Sequence, residues 1–231
     1  MRKRTSKVVF ILLILVCLLL PMALLTACEG AELPVEAPVI EIEDVAPSDW
    51  FYRYVVGGLR FGIIVSEDGE SLRFEPERHV THGEFITMLG RLHEYGNEAI
   101  GAPDDDPLDE RYIEWAKEMG IVHRYKYWDL MPNEYITREQ KAVIVYRYIS
   151  AFNLRSYFRH EHYILSITYS DFYEISSWAR GPIKSLHYLL LATARYGNHF
   201  MPHDFATRVV ALNILVRVGS AVYDLVHPMR G

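Results

Sequence analysis

A proline, a threonine five residues on and an arginine ten further on recur three times in this chain, as Pro76, Thr81 and Arg91, as Pro132, Thr137 and Arg147, and as Pro202, Thr207 and Arg217. Fixed offsets at this scale mark a repeat architecture, in which each copy is one supersecondary unit that covers its apolar face only by packing on its neighbours. The residue two before each proline is apolar (Phe74, Leu130, Phe200), and each arginine is closely preceded by an apolar pair, Met88-Leu89, Ile144-Val145 or Ile214-Leu215. The repeat therefore has a buried face as well as a fixed length.

Helix signals fill each copy. Trp50 precedes Gly62 by twelve residues, as Leu108 precedes Gly120 and Trp178 precedes Leu190, and these spans read as first helices. In the third copy Ile175, Trp178, Ala179, Ile183, Leu186 and Leu190 fall near one face at a period of about 3.6. Pro182 predicts a kink or a late start there. Second helices are predicted to begin at the threonines. Thr81-His82-Gly83-Glu84 and Thr137-Arg138-Glu139-Gln140 fit a capping box, whereas Thr207-Arg208-Val209-Val210 keeps the cap residue without the acidic or amide partner. Arg91, Arg147 and Arg217 suit helix C-termini, where a cation meets unpaired carbonyls. Six helices in three pairs predict an all-α domain. Its parts are repeat 1 over 44–96, repeat 2 over 102–152, an insertion over 153–169 that covers a joint, and repeat 3 over 170–220.

The first residues order a basic patch (Arg2, Lys3, Arg4, Lys7), an apolar run and a cleavage-type site ending at Cys28, the pattern of a secretion signal over 1–27. The same run is long enough to stay as an uncleaved anchor. Residues 28–43, rich in glutamate and with Pro34 and Pro38, read as an extended acidic linker, so the folded part is expected near Asp44. Cys17 lies in the apolar run, which leaves the body without a disulfide or thiolate metal site. Loss of the leader would remove four cations and no acid, moving the formal charge from -6 to -10. Such a balance argues against general nucleic-acid binding.

Two resemblances follow from these residues. Leu25-Thr26-Ala27-Cys28 resembles the lipobox of bacterial lipoproteins, which implies a lipid on Cys28 and a membrane-anchored, extracytoplasmic protein of the cell envelope. The body resembles S-layer homology modules. The first copy reads Asp44-Val45, Trp50, Gly62-Ile63, Phe74-Glu75-Pro76 and Thr81-His82-Gly83-Glu84; the second reads Gly120-Ile121, Met131-Pro132 and Thr137-Arg138-Glu139-Gln140; the third reads Asp171-Phe172, Trp178-Ala179, Phe200-Met201-Pro202 and Thr207-Arg208. The resemblance implies a pseudo-threefold helical domain whose grooves bind secondary cell-wall polysaccharide or a peptidoglycan-linked glycan, often one with an acidic pyruvyl ketal. It places Arg138, Arg208, Trp50, Trp178, Thr137, Thr207, Gly62 and Gly120 at the ligand. The physical reading agrees: a capped helix start presents N–H groups, and an arginine just inside it can pair with a carboxylate through two bonds. A sugar can pack on Trp50 or Trp178, for which burial in the core is the default expectation.

The copies also depart from the pattern. The first has His82 in the arginine's place, the second lacks the tryptophan, and the third lacks the Gly-Ile turn. A worn repeat acting as a structural or protein-binding scaffold is therefore the alternative. Arg159-His160-Glu161-His162 and His199 with His203 lack zinc-site spacing, and Asp104, Asp105, Asp106 and Asp109 lack the ligand alternation of a calcium loop. The aspartates instead predict a solvated turn before a helix. With Gly57-Gly58 too short for a phosphate loop and no nucleophile elbow in the sequence, the expectation is a non-catalytic protein with no cofactor and no metal.

Overall fold

The computed structural model describes residues 40–66, 69–95, 109–122, 130–158 and 169–226. The expectations for the leader, Cys28, residues 28–39, Asp104 to Asp106, Leu108, His160 and His162 lie outside these. The fold is all-α, with α1 at Tyr52–Arg60, α2 at His82–Tyr95, α3 at Glu110–Glu118, α4 at Arg138–Ala151, α5 at Ser177–Tyr188 and α6 at Arg208–Val226. Short 3-10 turns at Leu154–Tyr157 and Phe172–Glu174 and a two-residue parallel pair, β1 (Glu41–Ile42) with β2 (Ser71–Leu72), complete it. That pair draws residues 40–43 into the folded body, slightly ahead of the expected start at Asp44. Among the described residues no helix is long and apolar enough to cross a membrane.

All three second helices start on the residue after the predicted threonine. Thr81 and Thr137 close full capping boxes: the hydroxyls accept from Glu84 N and Gln140 N at 3.2 and 3.3 Å, and the Glu84 and Gln140 side chains accept from the threonine N–H groups at 2.9 Å. The N–H groups of the first turns, however, are not free for a ligand. His82 and Gly83 donate to the carbonyls of Glu134 and Pro132, Arg138 and Glu139 to those of Asp204 and Pro202, and Arg208 and Val209 to those of Arg78 and Pro76. Each helix start is thus satisfied by the proline loop of the next copy, which corrects the expectation of an open anion site there.

The same three-way exchange runs through the centre. Val80 N donates to Ala206 O, Ala206 N to Ile136 O, and Ile136 N to Val80 O, at 3.1, 2.8 and 3.0 Å, which closes a triangle about a pseudo-threefold axis. One residue earlier in each copy, His79 meets Tyr135 and Phe205 edge-on and those two rings are tilted on each other, with centroids 5.4 to 5.7 Å apart. The helices follow this symmetry by pairing across copies: α2 packs on α3, α4 on α5 and α6 on α1. At the last seam Gly57 and Gly58 let α1 approach α6, because a Cβ on either would stand 2.7 Å from Val216 or Leu212. Phe74, Phe85, Ile86, Ile144, Ile183 and Leu186 fill the core.

The family-like motifs have structural causes. Asp44 accepts from Phe74 N and Glu75 N at 2.7 Å each, and Asp171 accepts from Phe200 N and Met201 N at 2.8 and 2.6 Å. The clamp holds Glu75 and Met201 at positive φ (53° and 58°), turning the chain into the proline. The first helices end in a Schellman turn: Gly62 N and Ile63 N donate to Leu59 O and Gly58 O, and Gly120 and Ile121 repeat this on Lys117 and Ala116. In the third copy Leu190 takes the glycine's place at φ 59° with the same two bonds. Pro182 lies inside α5, which starts early at Ser177, so the Trp178 carbonyl loses its i+4 donor. Within the insertion the Leu154–Tyr157 turn packs on α4 and α6, and Phe158 and Tyr169 are buried; the residues between those two lie outside the described ones. Asp109 caps α3 by accepting from Arg111 N, so the aspartate run does end at a helix start.

Candidate functional site

One groove has a volume of about 500 Å³ and lies between the start of α4, the Leu191–Phe200 loop of the third copy, α6, and Trp50 and Tyr54 of the first copy. Arg138, Lys141, Arg195 and Arg217 line it against one acid, Glu77. Three arginines and a lysine in one recess stand out on a chain whose formal charge is -6. Trp50 forms the rim. It is 65 % exposed and makes edge contacts with Phe51 and Tyr54, which reverses the expectation of a core tryptophan. The reason is register: α1 begins at Tyr52, so Trp50 sits in the preceding turn, while Trp178 is the second residue of α5 and packs half-buried against the core.

Arg138 is the groove's fixed cation. Its Nε donates to Phe200 O at 2.8 Å, its Nη2 to Thr193 O at 3.0 Å, and its guanidinium lies 5.0 Å from the Phe200 ring centroid. Nη1 makes no hydrogen bond among the described residues. Burial, reinforced by Arg195, lowers its pKa to about 10, so it stays charged at neutral pH. At 4 % exposure it is part of the packing, so its removal would strand the carbonyls of Phe200 and Thr193. Lys141, one turn on, is buried on the groove floor with Nζ 3.3 Å from Val210 O. Burial and then the Arg138 charge hold its amine well below the ordinary lysine range.

A second groove of about 360 Å³ is the symmetry counterpart, between the Ile63–Glu75 loop, α2 and Arg208. Arg208 lies 5.4 Å from the Phe74 ring centroid, and its guanidinium makes no hydrogen bond among the described residues. Burial, and next Arg78, depress its pKa. Arg78 is engaged with Glu84 at 2.8 Å and Glu75 at 3.6 Å, so this groove is closer to charge balance. In the third position His82 is buried with Nδ1 3.0 Å from Glu134 O. Burial lowers its pKa, which leaves that position without a cation near neutral pH.

Of the eight residues that the resemblance places at a ligand, the two grooves gather Arg138, Arg208, Trp50 and Thr207. Thr137 serves its capping box and lines neither groove, and Gly62 and Gly120 serve helix ends. Sequence reasoning missed Lys141, Arg195, Arg91 and Arg217. The spacing suits Arg91 and Arg217 to helix ends, yet α2 runs on to Tyr95 and α6 to Val226, so both lie within helices and face the two grooves. Arg147 also precedes the last turn of α4. Their recurrence ten residues after each threonine was the available signal.

No family profile matches the chain. It is 30 % identical over 147 residues, 62 % of its length, to an amylopullulanase of Thermoanaerobacterium thermosulfurigenes. Over 147 residues it is 28 % identical to the exoglucanase XynX of Acetivibrio thermocellus, and over 224 residues, 92 % of its length, it is 25 % identical to an endoglucanase of Bacillus sp. (strain KSM-635). The chain spans 8 %, 13 % and 22 % of the lengths of these relatives. They are named as glycan-cleaving enzymes, and only a small part of each corresponds to this protein.

Proposed function

We propose that this chain is a non-catalytic cell-surface lipoprotein whose three S-layer-homology-like repeats bind cell-wall polysaccharide and tether the membrane to the wall. The carrying observation is the Arg138 groove, where a cationic recess is rimmed by an exposed tryptophan on an otherwise acidic chain. Cations recognise acidic groups of a glycan, and the indole and Tyr54 offer apolar faces to a sugar ring. The partial correspondence to polysaccharide-cleaving enzymes supports a glycan-associated, extracytoplasmic module that those larger proteins carry beside other regions. The lipid on Cys28 would supply the membrane end.

The test is cosedimentation of the full chain, kept in solution with mild detergent, with purified wall sacculi before and after chemical removal of secondary polysaccharide. Binding lost with the polysaccharide is the expected result. Trp50→Ala should weaken binding about threefold to tenfold, in line with the contribution of an aromatic contact. Equal sedimentation in all arms would discard the reading. In cells, Cys28→Ala should abolish incorporation of labelled fatty acid, and equal labelling would discard the lipid anchor.

A second reading, a scaffold that binds another protein, is favoured by the aromatic triangle on the axis. Tyr135 and Phe205 there are 48 % and 43 % exposed, and Met131 beside the same loops is exposed as well. Phe205→Ser would then abolish partner capture while leaving sacculus binding intact.

A further inference from the structure

The three second helices hold different residues at the fourth position after the threonine: Phe85, Lys141 and Ala211. Phe85 and Ala211 are fully buried apolar side chains. Lys141 occupies the same core position at 6 % exposure, but on the floor of the Arg138 groove. An ammonium has three N–H donors. One reaches Val210 O at 3.3 Å, and the others have no partner among the described residues. No acid lies within ion-pair distance of it there, and Arg138 repels it from one turn away on the same helix. The charged groups facing it are Arg138 on α4, Arg217 on α6, Arg195 on the loop above and Glu77 from the first copy, with Asp204 3.6 Å from Arg195. A cation buried without a counter-charge is unfavourable unless a ligand supplies one.

We infer that Lys141 is the selectivity residue of the groove, a recessed seat for the carboxylate of an acidic sugar beside Arg138. The inference rests on the glycan reading above and deepens it. Burial and the neighbouring arginine favour the neutral amine in the empty groove. A carboxylate arriving next to it reverses that preference, so binding takes up a proton. Affinity for the acidic ligand is then greatest at low pH within the range where the ligand stays ionised, and it falls as pH rises through the lysine's ligand-bound pKa.

The experiment is calorimetric titration of the full chain in detergent with polysaccharide released from wall sacculi, native or with its carboxyl groups reduced, in two buffers of different ionisation heat. The expected result is proton uptake with the native polymer only. Lys141→Met should lose the uptake, bind the native polymer at least tenfold more weakly, and melt at a higher temperature because an apolar side chain replaces a buried cation. A purely structural lysine would shift the melting temperature without changing the preference between polymers. Binding of the native polymer without proton uptake would overturn the inference even if the variant failed to fold. So would a folded Lys141→Met protein that kept the wild-type preference. If neither polymer binds the wild type, the glycan reading itself falls, and this one with it.

Discussion

Leu190 holds a backbone conformation that its counterparts Gly62 and Gly120 adopt without strain. A left-handed residue bearing a Cβ is disfavoured by roughly 1 to 2 kcal/mol, partly offset by the greater unfolded-state freedom of glycine. Leu190→Gly is therefore expected to stabilise the protein by about 1 kcal/mol in urea denaturation, and a loss of stability would show that the Leu190 side chain matters more than its backbone. Asp171 tells the opposite story, of a side chain that works. Burial disfavours its charge, yet the N–H groups of Phe200 and Met201 prevail and hold its pKa below the ordinary carboxylate value. Its contribution is present above the unfolded-state pKa and fades as pH falls through the folded one. Asp171→Asn should destabilise at neutral pH and flatten the acid limb of stability against pH; an unchanged acid limb would count against the clamp. Both aspartates were legible as motif members, but their task was not, because the groups they hold lie about thirty residues away.

At the scale of the element, the starts of the second helices were readable and their ends were not. A threonine followed three residues later by Glu or Gln carries its own hydrogen-bond partner, so Thr81 and Thr137 announce α2 and α4 locally. The local stops lie beyond the arginines, Gly96 just past α2 and Pro228 two past α6, while an arginine after an apolar run reads as a helix end. That is why Arg91 and Arg217 were placed at ends and their facing of the grooves went unseen. Partner choice was equally invisible. The repeat spacing says that copies pack together but not which helices meet, and Gly57 and Gly58 fit α1 against Val216 and Leu212 of α6. Gly58→Ala is expected to cost about 1 to 3 kcal/mol, the usual range for overpacking a close seam. Thermal denaturation measures it, and an unchanged melting temperature would mean that α1 can shift away freely.

For the molecule as a whole, the contrast between an acidic surface and one cationic recess sets how binding should respond to salt. Screening weakens attraction between charges once the Debye length shrinks from about 10 Å at 0.1 M to about 3 Å at 1 M. Sacculus binding should thus decline by tenfold or more over that range and respond more to Arg195→Ala, which lines the recess, than to Arg60→Ala, which lies on the exposed face of α1. Salt-independent binding would assign the affinity to the aromatic rim. Repeat number and all-α class were visible in the sequence because spacing is local. Which groove kept its charge was not, since it depends on side chains drawn from all three copies.

The exchange of helix partners has one more result. In an open array a copy can be added or dropped at an end, because each unit leans only on the one before it. Here α6 returns to α1 and Val80, Ala206 and Ile136 complete a triangle, so every seat is taken. A fourth copy would find no vacant face and a two-copy version would leave a face and a backbone edge uncovered. Duplication within such a body can succeed only by making a second complete trio, which fixes the count of copies by geometry and lets the copies differ from one another, as they do at His82, Lys141 and Leu190, while the set of three persists.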